Sequence, residues 1–189
     1  MTRPLVRLLL LALTVPLLQA CFPVVATGVG AAALMAADRR TTGIYVEDEN
    51  IEWKIVARMR EDATGSHVNA TSYNRRVLLT GETPTQATRK QIEDGIRSIP
   101  SVREVINELQ IAGASSMTAR GNDALITSNV KARMVNQPKF SPTNIKVVTE
   151  ANVVYLMGLV TQEEADAAVE VARTTSGVNR VVKVFEYTK

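Results

Sequence analysis

The chain offers few of the side chains that enzymes use for chemistry, because it holds one cysteine, Cys21, and one histidine, His67. A structural zinc site of the cysteine–histidine type needs four such ligands. The sequence also lacks the Gly-x-Ser-x-Gly motif of hydrolases and the Gly-Lys-Ser/Thr motif of phosphate-binding loops. A lone histidine at the head of a predicted strand is usually a surface or interface residue. We therefore predict a protein that is not an enzyme, with no catalytic residues, no metal and no cofactor.

Size and charge narrow the class of protein further. The chain has 189 residues, of which 46% are apolar and 22% charged, and this suits one or two small packed domains. The net charge is +3, and Arg3 and Arg7 supply two of these positive charges. No stripe of basic residues with interleaved aromatic residues is present, so nucleic acid is not an expected partner.

The surroundings of Cys21 indicate a covalent lipid anchor. A short basic segment precedes an apolar run of 11 residues at 8–18, which suits a signal peptide and is too short to span a bilayer. The sequence Leu-Gln-Ala-Cys follows at 18–21 and resembles a bacterial lipobox, with glutamine as an unusual occupant of its middle position. On this interpretation residues 1–20 are removed and Cys21 is acylated. Each buried methylene then contributes about 0.8 kcal/mol, and more than one acyl chain gives stable anchoring.

A single transmembrane helix is the alternative, since no charge occurs between Leu8 and Ala37. Pro16 and Pro23 interrupt that stretch, and proline breaks a helix interior. We favour the lipoprotein interpretation and expect 21–46 to form the lipidated N-terminus and a polar tether.

The rest of the chain carries one pattern twice. The first block, Asp48-x-x-Ile51-x-x-x-Ile55-x-Ala57-Arg58-Met59, recurs 75 positions later as Asp123-x-x-Ile126-x-x-x-Val130-x-Ala132-Arg133-Met134. The second, Val77-x-Leu79-x-Gly81, recurs 77 positions later as Val154-x-Leu156-x-Gly158. The third, Val102-x-x-Val105, recurs 76 positions later as Val178-x-x-Val181. Near-constant offsets in the same order indicate a tandem duplication. We expect a linker of small residues at 113–121 between the copies.

Each copy predicts the order helix, strand, strand, helix, strand, with the first helix beginning near Asp48 or Asp123. The fold class is α+β, with a three-stranded mixed sheet packed on two helices in each copy. We expect Gly81 and Gly158 to mark a bulge or a close contact with the following helix. The predicted ranges are hairpins at 67–73 with 76–82 and 144–150 with 152–160, second helices from Pro84 and after the capping box Thr161-x-x-Glu164, last strands at 102–109 and 178–187, and domains at 47–112 and 122–189. Because the second copy has an apolar face on every element, we expect 121–189 to fold alone.

The repeated blocks resemble the BON domain, whose family fold has this order of elements. Two such domains behind a lipobox are similar to the dual-BON outer-membrane lipoproteins of Gram-negative bacteria, the DolP (YraP) family, most specifically at Val153–Ala165. Phe22 follows the cysteine where an inner-membrane retention signal would have aspartate. The resemblance therefore implies a lipid anchor in the inner leaflet of the outer membrane, facing the periplasm. It also implies a second BON domain that binds anionic phospholipid, and a role in outer-membrane integrity.

The first helix of the second copy is the candidate lipid contact. If Ile126 and Val130 face the core, Leu125 projects outward among small residues with basic flanks, which suits shallow contact with lipid headgroups. We expect Lys131 and Arg133 to reach lipid phosphates. The candidate phospholipid-binding residues are Gly121, Asn122, Asp123, Leu125, Ile126, Ser128, Asn129, Lys131, Ala132 and Arg133.

Two positions set this chain apart. Family members often carry tryptophan where this chain has Leu125, and tryptophan prefers the membrane interface, so we expect weaker membrane affinity here. The one tryptophan, Trp53, lies in the first copy on the side of its helix away from Ile51 and Ile55. We expect Trp53 to seal the contact between the copies, with membrane contact as the alternative.

A second functional interpretation uses the same anchor. A tethered protein-interaction adaptor would dock on an envelope assembly machine or activate a cell-wall enzyme. Binding of the acyl-free domains to liposomes distinguishes the two interpretations. A hydrolase is the third and least favoured interpretation, because the sequence shows no set of nucleophile and general base.

Replacing Cys21 with Ala tests the anchor. The variant has no sulfur to acylate, so we expect an unprocessed or mislocalised protein. Radiolabelled palmitate should mark the wild type and not the variant, and equal labelling of both would exclude the lipoprotein interpretation.

Overall fold

A computed structural model of the chain describes residues 38–62 and 65–188. Cys21, the predicted signal peptide at 1–20 and most of the predicted tether lie outside the described residues.

The described part of the chain contains the predicted order of elements twice, with one short extra strand in the first copy. The elements are α1 (Thr42–Asp62), β1 (His67–Tyr73), β2 (Arg76–Thr83), α2 (Gln86–Arg97), β3 (Glu104–Asn107), β4 (Gln110–Ile111), α3 (Met117–Val135), β5 (Ile145–Glu150), β6 (Val153–Val160), α4 (Gln162–Arg173) and β7 (Arg180–Tyr187). The α+β prediction is confirmed.

Both sheets are mixed, as predicted. Their strand orders are β1-β2-β3 and β5-β6-β7. Strand β4 also pairs with β2, so the first sheet has four strands where three were predicted. In each sheet the hairpin pair is antiparallel and the last strand runs parallel to the central strand. Two-residue turns close the hairpins, and all four turn residues have positive φ angles between 49° and 63°. Turns of this handedness match the twist of the flanking strands.

The repeated aspartates do not start the helices, and that prediction is wrong. Helix α1 begins at Thr42, inside the predicted tether, and α3 begins at Met117, inside the predicted linker. Asp48 and Asp123 are buried instead, and each carboxylate accepts hydrogen bonds from the hairpin turn of its own domain. Asp123 accepts from the N–H groups of Ala151 and Asn152 at 3.0 and 2.9 Å.

The same clamp occurs in the first domain. Asp48 accepts from the N–H groups of Asn74 and Arg75 at 2.8 and 2.7 Å, and also from the Ser72 hydroxyl at 2.7 Å. The repeated aspartate thus joins the first helix to a turn whose backbone donors would otherwise lack protein partners.

Gly81 and Gly158 allow close contact between backbones, although the neighbour is not the following helix. It is the start of β1 for Gly81, and for Gly158 it is the end of a 3-10 helix (Pro142–Asn144) just before β5. A Cβ atom on Gly81 would lie 2.1 Å from the His67 carbonyl oxygen, and one on Gly158 would lie 2.4 Å from that of Asn144. Gly81 also has a φ angle of 112°, which side-chain-bearing residues rarely adopt. A side chain at either position would push the hairpin apart.

Each domain has its own apolar core between its helices and one face of its sheet. Buried residues of the first core include Ile51, Ile55, Val77, Leu79, Ile92 and Ile96. Those of the second include Ile126, Val130, Met134, Val154, Leu156, Ala168 and Phe185.

A third apolar cluster lies between the two sheets. Successive side chains of a strand point to opposite faces, so Leu78 points away from the core that holds Val77 and Leu79. Leu78 and Tyr73 pack there with Tyr155, Met157 and Val184 of the second domain. The domains therefore form four layers, with the sheets inside and the helices outside.

The N-terminal residues of the described chain also join the domains. Arg40 pairs with Asp38 and Asp48 in the first domain. Arg39 pairs with Glu164 at the N-terminus of α4, and this hydrogen bond is the main cause of the lowered pKa of the Glu164 carboxyl. Glu164 also completes the predicted capping box with Thr161, which is confirmed.

Two further expectations are affected by this packing. Trp53 is 69% exposed, so the prediction that it seals the domain contact is wrong. The sheets form that contact, because their inner faces are apolar. Independent folding of 121–189 stays a prediction, and such a fragment would lack the first turn of α3 and expose the inner face of its sheet.

Replacing Asp123 with Ala tests the clamp. Two turn N–H groups would lose a charged acceptor, and hydrogen bonds to charged groups contribute about 1.5–3 kcal/mol each. We expect the free energy of unfolding to fall by roughly 2–4 kcal/mol in urea titrations. Asn129→Ala, at an exposed position of the same helix, is the control and should change it by less than about 0.5 kcal/mol. Equal stability of the two variants would show that the hydrogen bonds of Asp123 contribute nothing to the free energy of unfolding.

Candidate membrane-contact surface

Helix α3 has one buried face and one apolar exposed face. Ile126, Val130 and Met134 are buried in the second core, whereas Leu125 is 66% and Val135 is 68% exposed. The predicted outward orientation of Leu125 is confirmed. At about 3.6 residues per turn, one stripe of exposed residues follows the helix. We call this stripe the α3 outer face, and it consists of Gly121, Leu125, Ser128, Ala132 and Val135.

Two of the candidate lipid-binding residues lie on the wrong side of the helix. Asp123 and Ile126 are both buried, at 5% and 3% exposure. Asp123 holds the β5–β6 turn and Ile126 packs in the core, so neither can touch a headgroup without unfolding the domain.

Arg133 is exposed, but its guanidinium is engaged within the protein. It donates to the Val171 carbonyl and to the hydroxyls of Thr174 and Thr175, at distances of 2.7–3.1 Å, at the C-terminal end of α4. Cations favour this end of a helix, where carbonyl groups lack intrahelical donors. The contact of Arg133 with lipid phosphates stays a prediction, and it would compete with these hydrogen bonds to α4.

The polar candidates differ in how they are used. The Asn122 amide donates to the Asn152 side chain at 3.0 Å, and the Ser128 hydroxyl donates to the Ala124 carbonyl at 2.9 Å. Asn129 is exposed. Of these three residues only Ser128 belongs to the α3 outer face, and its hydroxyl is already hydrogen-bonded to the backbone.

Lys131 is the cation that remains available beside the α3 outer face. It is exposed and makes no hydrogen bond or ion pair within the described chain. It borders a groove of about 450 Å³ that also includes Arg40, Tyr45, Glu49 and Lys146.

The other two cationic side chains of the groove are engaged in ion pairs. Arg40 pairs with Asp38 and Asp48, and the Lys146 ammonium lies 2.8 Å from the Glu52 carboxylate. A positive charge is thus left free only at Lys131 among the described cations of the groove.

No helix in the described ranges, 38–62 and 65–188, is long and apolar enough to cross a bilayer. The family model of the BON domain matches the chain twice, at residues 47–113 and 122–189. The chain belongs to the BON family. More narrowly, it is a dual-BON outer-membrane lipoprotein of the DolP (YraP) family.

Two relatives carry the narrower assignment. The chain is 37% identical over 187 residues to the outer membrane lipoprotein DolP of Haemophilus influenzae, covering 97% of each chain. It is 32% identical over 153 residues to a protein named 21 kDa hemolysin from Actinobacillus pleuropneumoniae, covering 79% of each. A solved structure of CdsD, a type III secretion structural protein of Chlamydia trachomatis, covers 76% of this chain and 92% of its own at 9% identity, and its TM-score of 0.30 supports no conclusion.

The orientation of α3 can be tested by placing a charge on each face. We expect Leu125→Glu to leave the melting temperature within about 2 °C of the wild type, since exposed substitutions change stability little. Ile126→Glu should unfold the second domain, because an unpaired buried charge is strongly destabilising. Thermal unfolding followed by circular dichroism distinguishes the two, and loss of structure in Leu125→Glu would mean that the helix faces the other way.

Proposed function

We propose that this protein is anchored by acylated Cys21 on the periplasmic face of the outer membrane and binds anionic phospholipid through the α3 outer face. By this binding it supports outer-membrane integrity. The observation that carries the proposal is the pair of exposed aliphatic side chains, Leu125 and Val135, beside the uncommitted charge of Lys131.

The magnitudes suit a contact that is shallow and reversible. Full burial of a side chain such as that of Leu125 or Val135 contributes roughly 1.5–3 kcal/mol, and penetration at the headgroup level realises only part of this. One lysine near an anionic surface adds about 1 kcal/mol. Such a face cannot hold a protein on a membrane alone, which is consistent with a separate covalent anchor.

The anchor and the α3 outer face have different tasks in this proposal. A chain spans at most about 3.3–3.6 Å per residue, so the residues from Cys21 to the described part can reach roughly 60 Å. The anchor therefore raises the local concentration of the domains without choosing which face meets the lipid. The chemistry of the exposed faces must make that choice.

The acyl-free chain 38–189 allows the face to be tested without the anchor. We expect Leu125→Glu to lower the affinity for phosphatidylglycerol-containing vesicles by at least about tenfold, since it replaces apolar area with a charge that the anionic surface repels. Vesicle co-sedimentation is the measurement. Val56→Glu is the matched control, because Val56 is an exposed aliphatic residue on helix α1 of the first domain. It should bind like the wild type, and equal losses in both variants would contradict a specific role of α3.

Lys131→Ala should weaken binding less than Leu125→Glu. Its effect should also shrink as salt rises, because screening shortens the reach of an exposed charge. Arg133→Ala is less suitable as an electrostatic control, since it also removes contacts to α4. An effect of Lys131→Ala that persists at high salt would argue against lipid phosphate as its partner.

The adaptor function has an observation of its own. Helix α1 exposes Val46, Trp53 and Val56, with Trp53 among the most exposed large apolar side chains described. Tryptophan is enriched at the centres of protein–protein contacts. If vesicle binding is absent in the acyl-free chain and Trp53→Ala impairs envelope integrity in cells, the adaptor becomes the better account.

A further inference from the structure

A cluster of potential metal ligands lies at one end of the contact between the two sheets. His67 begins β1 and Glu82 lies near the end of β2, both in the first domain, while Glu150 ends β5 in the second. One ligand atom from each of the three lies within 4.8 Å of the other two. The His67 Nε2 atom and a Glu150 carboxylate oxygen are 3.6 Å apart.

The charges of this cluster are not balanced within the described chain. Glu82 and Glu150 are both buried, at 7% and 6% exposure. Glu82 accepts from the Ser115 N–H at 3.0 Å, and Glu150 accepts from the Asn69 amide at 2.9 Å. No lysine or arginine of the described residues pairs with either carboxylate. Buried charges in proteins are usually paired or coordinate metals, so two carboxylates beside one imidazole favour a cation.

We propose that His67, Glu82 and Glu150 form a site for a transition-metal cation with the preferences of Zn²⁺. Zinc accepts imidazole nitrogen and carboxylate oxygen at about 2.0–2.2 Å, and tetrahedral ligands at that distance stand about 3.4 Å apart. The observed separation of 3.6 Å between His67 and Glu150 is close to this value. Two carboxylates neutralise the charge of one divalent ion, and the imidazole favours zinc over the harder cations Mg²⁺ and Ca²⁺.

The surroundings supply a fourth ligand and an entry path. The Asn69 amide lies 3.4 Å from His67 Nε2, and rotation of that amide would direct its oxygen at the cation. A water molecule is the alternative fourth ligand. The His67 side chain remains 14% exposed, so the cluster borders solvent.

The duplication shows that this cluster is specific to one end of the domain contact. At the offset of 77 positions, His67, Glu82 and Glu150 correspond to Asn144, Leu159 and Tyr73. At that other end the Tyr73 hydroxyl donates to the Asn144 carbonyl at 3.1 Å. The domains thus meet through two equivalent corners, one closed by a tyrosine hydrogen bond and the other bearing metal ligands. A bound cation would join the domains at the second corner.

Titration of the tag-free full chain in a neutral detergent with ZnCl₂ tests this site. His67 is the one histidine in the chain, so its imidazole proton signal in NMR reports on the site without ambiguity. At constant pH we expect a saturable change of that signal at one equivalent of zinc, and a melting temperature that rises with zinc concentration. MgCl₂ at the same concentrations should produce neither effect.

Variants separate the site from adventitious binding. Glu82→Gln and Glu150→Gln should each raise the dissociation constant for zinc at least tenfold. Glu186→Gln is the matched control, since Glu186 is another carboxylate between the domains, paired with Arg103, and it should bind zinc within about twofold of the wild type. An unchanged His67 signal at millimolar ZnCl₂ would overturn the proposal, as would equal zinc affinity in Glu150→Gln. The wild-type titration decides the question even if a variant does not fold.

Discussion

Burial of the inner sheet faces against each other is the constraint that organises the molecule. A sheet covered by helices on one side leaves its other side apolar at positions such as Leu78 and Tyr155. Each domain covers the exposed sheet face of the other, so the helices become the outer layers. The outward faces of α1 and α3 remain accessible, and they carry the large exposed side chains Trp53, Leu125 and Val135.

Local patterns in the sequence were sufficient for the elements and insufficient for several side-chain roles. The hairpins and the capping box at Thr161 depend on residues close in sequence, so they could be predicted from the sequence alone. The role of Asp123 depends on a turn brought to it by the hairpin that follows, and an acidic residue before an apolar helical pattern is indistinguishable from a cap. The contacts of Arg133 with α4 depend likewise on the position of a neighbouring helix. The outward orientation of Leu125 was predictable, because it follows from helical period alone.

The two copies share the same backbone fold, but the residues on the outer faces of their first helices differ. The aspartate clamp and the glycine at the close approach occur in both copies, since each serves the fold. At the offset of 75 positions, Trp53 corresponds to Ser128 and Asn50 corresponds to Leu125. The exposed apolar residues of the two domains thus lie at different positions along α1 and α3. This divergence is consistent with one domain facing lipid while the other remains available for a protein or for no partner.

The most direct test of lipid contact through α3 is quenching of tryptophan fluorescence by brominated phosphatidylglycerol. Wild-type chain 38–189 reports from Trp53 on α1, and the double variant Trp53→Phe, Leu125→Trp reports from the α3 outer face. Since only the α3 outer face is proposed to meet lipid, the account predicts strong quenching in the double variant and little in the wild type. Strong quenching of Trp53 together with an unquenched tryptophan at position 125 would contradict it and assign membrane contact to the first domain.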